Sequence, residues 1–181
     1  MRRAAERIEA GSVDIPASLM SRCRDVVLAG DVMFVNKIPF FVTISRDIKF
    51  STVKVMKNRK AGTILMAIKQ VLNVYKKQGF VLTTILMDGE FETLRGELSA
   101  LQLTLNTASN DEHVPEVERY IRTLKERVRC VYNTLPFNRM PTRMVVEMVY
   151  SGNFWLNSFP ALDGVSDTIS PRAIVACGYP A

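Results

Sequence analysis

The chain has 181 residues, enough for one domain with a sizeable core and too few for two comfortable ones. Its composition, 48% hydrophobic and 23% charged, is that of a folded protein and argues against disorder as the dominant state. A formal net charge of +6 points to an anionic partner, nucleic acid ahead of an acidic membrane surface.

Residues 1 to about 22 mix charges with Gly11, Pro16 and Ser18 without sustained periodicity, and are expected to be a lead segment, flexible or briefly helical. Two β-rich runs follow over 26–35 and 38–45, and the two residues between them, Asn36-Lys37, predict a hairpin. A third strand over 51–56 completes an antiparallel meander. Ile64, Leu65, Ile68, Val71, Leu72 and Tyr75 recur at helical spacing, so a helix over 62–78 crosses the sheet and stops at Gly79. The apolar run 81–87 reads as a buried strand parallel to an earlier one. A short helix over 90–101, a strand over 103–107 and a long helix over 115–133 with Pro115 in its first turn come next. A helix over 141–157 and a short capped helix at Ser170–Val175 close the chain.

Several acids stand where chemistry is plausible. Asp31 falls inside the first strand, on the face of Val27, Ala29, Met33 and Val35. A carboxylate there is costly without a metal, a basic partner or an opening to solvent, and a structural ion pair explains it as readily as a site does. Asp88 follows the most apolar strand, where ligands gather beyond the carboxyl ends of parallel strands, although Asp88-Gly89 is also a turn signal. Glu90 and Glu92 are expected to complement the dipole of the following helix.

On the long helix, Val117, Ile121, Leu124, Val128 and Val131 form an apolar stripe, with Glu116 and Glu118 on its opposite flanks. Glu118 shares its flank with Arg122, Lys125 and Arg129, an acid beside a basic row suited to phosphates. The plain alternative is a solvated face with a Glu118–Arg122 pair. His113, beside Asp111 and Glu112, is expected at the surface without a role. Phe154, Trp155 and Phe159 are expected in the core in preference to a partner surface. Lys54, Lys57, Arg59 and Lys60 form a basic cluster that serves DNA contact or solubility. Cys23, Cys130 and Cys177 with one histidine supply no zinc ligand set, and their odd number argues for reduced thiols in an intracellular protein. The N-terminus lacks the apolar run of a signal peptide, and no run reaches the roughly 18 apolar residues of a membrane span.

The run Glu118-Arg119-Tyr120-Ile121-Arg122-Thr123-Leu124-Lys125-Glu126 is similar to the E-R-x-x-R-T-L-x-E helix of copia-type retrotransposon integrase catalytic cores, members of the ribonuclease H-like superfamily. Met87-Asp88-Gly89-Glu90-Phe91 resembles that family's D-N-G-x-E-F, and Asp31 takes the position of its leading Asp. Trp155-Leu156-Asn157-Ser158-Phe159-Pro160 and Ser170-Pro171-Arg172 resemble the stretch after the helix, and 112–119 resembles fragments of retroelement polyproteins.

The resemblance implies an α/β, ribonuclease H-like fold: a five-stranded mixed sheet flanked by helices, with 1–22 as lead, 23–135 as catalytic core and 136–181 as a C-terminal helical extension. It implies that Asp31, Asp88 and Glu118, with Glu116 as the alternative third acid, hold two Mg²⁺ or Mn²⁺ ions roughly 3.5–4 Å apart. Arg119, Arg122, Lys125 and Arg129 are then the nucleic-acid contacts. The implied activity is DNA strand transfer by a self-associating nuclear protein with DNA as partner. A catalytically inactive nucleic-acid-binding remnant and a ribonuclease H-like nuclease are the alternatives. The chain departs from the family where Gly89 directly follows Asp88, and where only 29 residues separate Asp88 from Glu118. One histidine also cannot furnish the family's His/Cys zinc module.

Overall fold

The computed structural model describes residues 15–107, 114–137 and 139–178; most of the expected lead segment and His113 lie outside the described residues. A short helix α1 (Ala17–Cys23) buries Met20 and Cys23 and leads into strand β1 (Asp25–Val35). β1 turns into β2 (Ile38–Ser45) through Asn36 and Lys37, whose φ angles of 48° and 65° are the two positive values of a type I′ turn. β3 (Ser51–Val55) pairs with β2, and both of these contacts are antiparallel.

Helix α2 (Ala61–Lys77) then crosses over the sheet. It ends in a Schellman cap: Gly79 has φ 77°, its N–H donates to the Lys76 carbonyl at 3.1 Å, and the Phe80 N–H donates to Tyr75 at 3.1 Å. β4 (Val81–Met87) pairs with β1 in parallel, and β5 (Thr104–Thr107) pairs with β4 in parallel. The sheet is thus five-stranded and mixed, in the order β3-β2-β1-β4-β5.

Between β4 and β5 the single expected helix divides into a 3₁₀ segment, Gly89–Leu94, and helix α3 (Arg95–Ala100). Phe91 and Leu94, both buried, are three residues apart, and the three-residue period of a 3₁₀ helix puts both on one side. The long helix α4 (Pro115–Thr134), α5 (Thr142–Ser158) and α6 (Pro171–Cys177) follow, the last capped by Ser170 Oγ on the Ala173 N–H at 3.2 Å.

Two cores form, one on each face of the sheet. Leu28, Phe41, Ile68, Tyr75, Ile85 and Leu98 belong to the first, with Ile174 of α6. Ala29, Met33, Val42, Val117, Leu124 and Val149 belong to the second, which α4 and α5 cover. The alternation of β1 therefore turns Ala29, Asp31 and Met33 toward α4. Val131, expected in the α4 stripe, is 48% exposed.

Helix α5 is fastened to the sheet by polar atoms. The Asn157 side chain accepts from the Ser51 N–H at 2.9 Å and donates to the Ser51 carbonyl at 2.8 Å, continuing the ladder where β3 begins. The Ser51 hydroxyl donates to Tyr120 Oη of α4 at 2.6 Å, and Tyr120 Oη donates to Asn153 at 2.9 Å. Gly152 permits the close approach of α5 to α4, because a Cβ there would lie 3.1 Å from Leu124 Cδ1. The aromatic residues expected in the core are instead half-exposed: Phe154, Trp155 and Phe159 keep 42%, 56% and 61% of their surface. α5 turns Val145, Val149 and Asn157 inward, which leaves Phe154 and Trp155 on its other side, with Arg172 above the Phe154 ring at 4.2 Å.

Candidate active site

The sheet opens where Asp31 and Asp88 stand. β1 pairs with β4 as far as Ala29 and Leu86; β4 ends at Met87, while β1 continues to Val35 along β2. Asp31 and Asp88 each lie two residues beyond that last pair. Adjacent strands run about 4.8 Å apart, so the two acids are neighbours at the carboxyl ends of parallel strands. Having lost β4 on one side, β1 can carry a carboxylate there that a fully paired central strand would not tolerate. Each acid accepts the N–H of the next residue: Val32 to Asp31 Oδ1 and Gly89 to Asp88 Oδ1, both at 2.6 Å.

The third wall comes from the first turn of α4, and its two glutamates diverge. Glu116 turns to the outer edge, where Arg46 Nε sits 3.2 Å from its Oε1. Glu118 is exposed on the opposite flank, the one nearer the acids: burial pushes the Asp31 carboxyl above its ordinary value, and the charges of Glu90, Asp88 and, least, Glu118 raise it further, against the lowering effect of the Val32 N–H. Asp31 forms no ion pair among the described residues. A half-buried carboxylate with Asp88 as its neighbour is a concentration of negative charge that a cation would relieve.

The donor set is oxygen alone, which suits a hard divalent ion such as Mg²⁺ or Mn²⁺ and not zinc. Among the described residues no three acids, histidines or cysteines stand close enough to form a ready-made cage. The acids adjoin across an open strand end, and the residues fit an ion that is completed by water or by phosphate oxygens.

No protein-family model and no curated protein sequence matches the chain. Solved structures do match. The catalytic core domain of BIV integrase is 17% identical, with a TM-score of 0.59 over 83% of this chain and 93% of that one. The HTLV-2 integrase catalytic core domain in complex with magnesium is 15% identical, with TM-scores of 0.60 in a trimeric form and 0.59 in a dimeric form, over 82% of this chain and 94% of that one. The chain has the ribonuclease H-like fold of integrase catalytic cores. At these identities the likeness is one of fold.

In this integrase-core fold α4 carries the basic row. At about 100° per residue, Arg122, Lys125 and Arg129 stand on the Glu118 flank, while Arg119 points to the helix's outer back. Arg122, Arg129 and Arg119 are exposed and Lys125 is half-buried.

Two site neighbours escaped the sequence reading. Glu90, expected only to complement a helix dipole, has the largest effect on Asp31 of the three neighbouring acids, and it is ion-paired with Arg59. Arg59, from the basic cluster after β3, also lies over the Phe34 ring, 5.7 Å from its centroid. The available signal was the spacing Asp88-Gly89-Glu90, which a tight 3₁₀ turn folds back toward β1. Glu92, by contrast, is structural: it binds Arg95 Nη2 at 2.8 Å and the Thr107 hydroxyl at 3.0 Å. No helix among the described residues is long and apolar enough to cross a membrane.

Proposed function

We propose that this chain is a copia-type retrotransposon integrase core that binds DNA and joins DNA ends by divalent-metal-dependent phosphoryl transfer. The observation that supports it is the pairing of Asp31 and Asp88 at two parallel strand ends, with the charge of Glu118, at the start of α4, acting on Asp31, which has no ion pair among the described residues. Two Mg²⁺ or Mn²⁺ ions bound there would polarise the phosphate and favour the attacking oxygen. Asp31 and Asp88 act as the rigid pair of ligands, held by their own chain's N–H groups. Glu118 completes the set from a helix that packing holds against the sheet. Arg122, Lys125, Arg129 and, farther round, Arg119 position the phosphate backbone. The attacking group is water in end processing and a DNA 3′-hydroxyl in strand transfer.

DNA as substrate implies a nuclear place of action, and the HTLV-2 core's dimeric and trimeric forms support self-association. The test is metal-dependent nicking and strand transfer on duplex DNA ends, with RNA–DNA hybrid as a parallel substrate. Asp88→Asn is expected to lower product by about 100-fold or more; unchanged product would remove Asp88 from the mechanism. Cleavage of the hybrid alone would favour a ribonuclease H-like nuclease. The lack of a ready-made cage among the described residues favours one second reading, a nucleic-acid-binding remnant, which predicts salt-sensitive DNA binding and no metal-dependent product.

A further inference from the structure

A second recess lies along α4 from the acids. It has a volume of about 440 Å³ and opens between the β1–β2 turn, the C-terminal half of α4 and the start of α5. Phe34 and Tyr132 give it aromatic surface, Met148 apolar surface, and Asn36 an amide. Lys125 and Arg129 supply two cations, and neither makes an ion pair or side-chain hydrogen bond among the described residues. They stand seven and eleven residues past Glu118 on one flank, so about 10 and 16 Å along the helix from it. Phe34 is three residues past Asp31 on β1 and 43% exposed.

We propose that this recess takes an unpaired nucleotide of the DNA end, its base against Tyr132 and Phe34 and its phosphate on Lys125 and Arg129. The inference rests on the DNA-binding reading above and names a subsite within it. The volume is that of a small-ligand pocket, where one nucleotide fits and a duplex does not. Aromatic side chains reach the face of a base only once it has left the stack. Unpaired cations beside aromatic rings are the composition of single-strand binding surfaces. Asn36 is fixed by the type I′ turn and offers hydrogen bonds to a base edge.

The 181-residue chain is tested by fluorescence anisotropy on a blunt duplex and on the same duplex with a three-nucleotide overhang. A 2-aminopurine in the overhang reports stacking. The expected result is about tenfold tighter binding of the overhang duplex, with quenching of the 2-aminopurine, the scale of one base–aromatic stack. Tyr132→Ala is expected to abolish both the preference and the quenching while blunt-duplex binding stays within about twofold. Phe34→Ala, at an exposed position, is the second variant, and thermal melting checks that both fold. Loss of preference in either folded variant supports the subsite. Absence of a preference, or its retention in both variants, overturns the subsite and leaves the DNA reading standing. Failure of the wild type to bind either DNA overturns both.

Discussion

At the scale of single residues, Asp31 carries the strongest electrostatic burden of the proposed site. Its raised carboxyl pKa means that the folded state holds the Asp31 proton more tightly than the unfolded chain does. Stability from this group therefore falls as pH rises from the ordinary aspartate value of about 3.9 through the raised folded value, and stays low above it. Asp31→Asn is expected to raise the melting temperature at neutral pH in EDTA by a few degrees, with the gain vanishing below about pH 4. The same variant should lose the stabilisation that millimolar Mg²⁺ or Mn²⁺ gives the wild type. Melting curves across pH, with and without metal, check both; a variant less stable than wild type in EDTA at pH 7 would refute the burden. The two glutamates of α4 separate in the same way. Glu116→Gln removes a half-exposed pair with Arg46 and should cost about 0.5 kcal/mol while leaving metal-dependent product. Glu118→Gln should abolish product with little change in melting. The reverse pattern in parallel strand-transfer assays would make Glu116 the third acid.

At the scale of elements, the position of α4 depends on α5. Asn157 closes both backbone groups of Ser51, and Tyr120, two residues from Glu118, joins the same network. Asn157→Ala strands a buried N–H and C=O and should cost about 2–4 kcal/mol. Tyr120→Phe, losing one hydroxyl, should cost about 1–2 kcal/mol. Urea denaturation measures both, and equal stability of Asn157→Ala and wild type would mean that water replaces the clamp. The hairpin, crossover helix and terminal cap were legible because each is local: two turn residues, a helical apolar period with Gly79 after it, and Ser170 before Pro171. The division of 89–100 was not legible, since only the docking of Phe91 and Leu94 under the sheet selects the tighter helix. The exposure of Phe154, Trp155 and Phe159 was equally hidden. Their hydrophobicity is a residue property, whereas the face they occupy is set by Val145, Val149 and Asn157 docking first.

At the scale of the whole molecule, a net charge of +6 coexists with an acidic pair, Asp31 and Asp88, at one sheet opening. The positive charge of α4 lies beside that opening, so phosphates are attracted to the helix flank and a cation to the strand ends. Arg122→Ala should weaken DNA binding by similar factors across sequences and reduce the slope of log K against log salt by about 0.9. Anisotropy titrations from about 50 to 200 mM salt measure the slope; an unchanged slope would take Arg122 out of the phosphate contacts.

The sequence alone determined the five strands, the crossover helix, the three helices after β5 and their order, because these follow from periods of two and 3.6 residues and from turn chemistry. It also marked Asp31 and Asp88, since a carboxylate in or after an apolar strand is visible without a partner. Tertiary structure decided which acids meet. The register that ends at Ala29 and Leu86 sets Asp31 beside Asp88, and the packing of Val117, Ile121 and Leu124 leaves Glu118 exposed on one flank of α4 and sets Glu116 against Arg46 on the other. Glu90 joined the group through a 3₁₀ turn whose direction depends on the buried residues beneath it. Proximity between elements far apart in the chain is a property of their packing, and no local pattern encodes it.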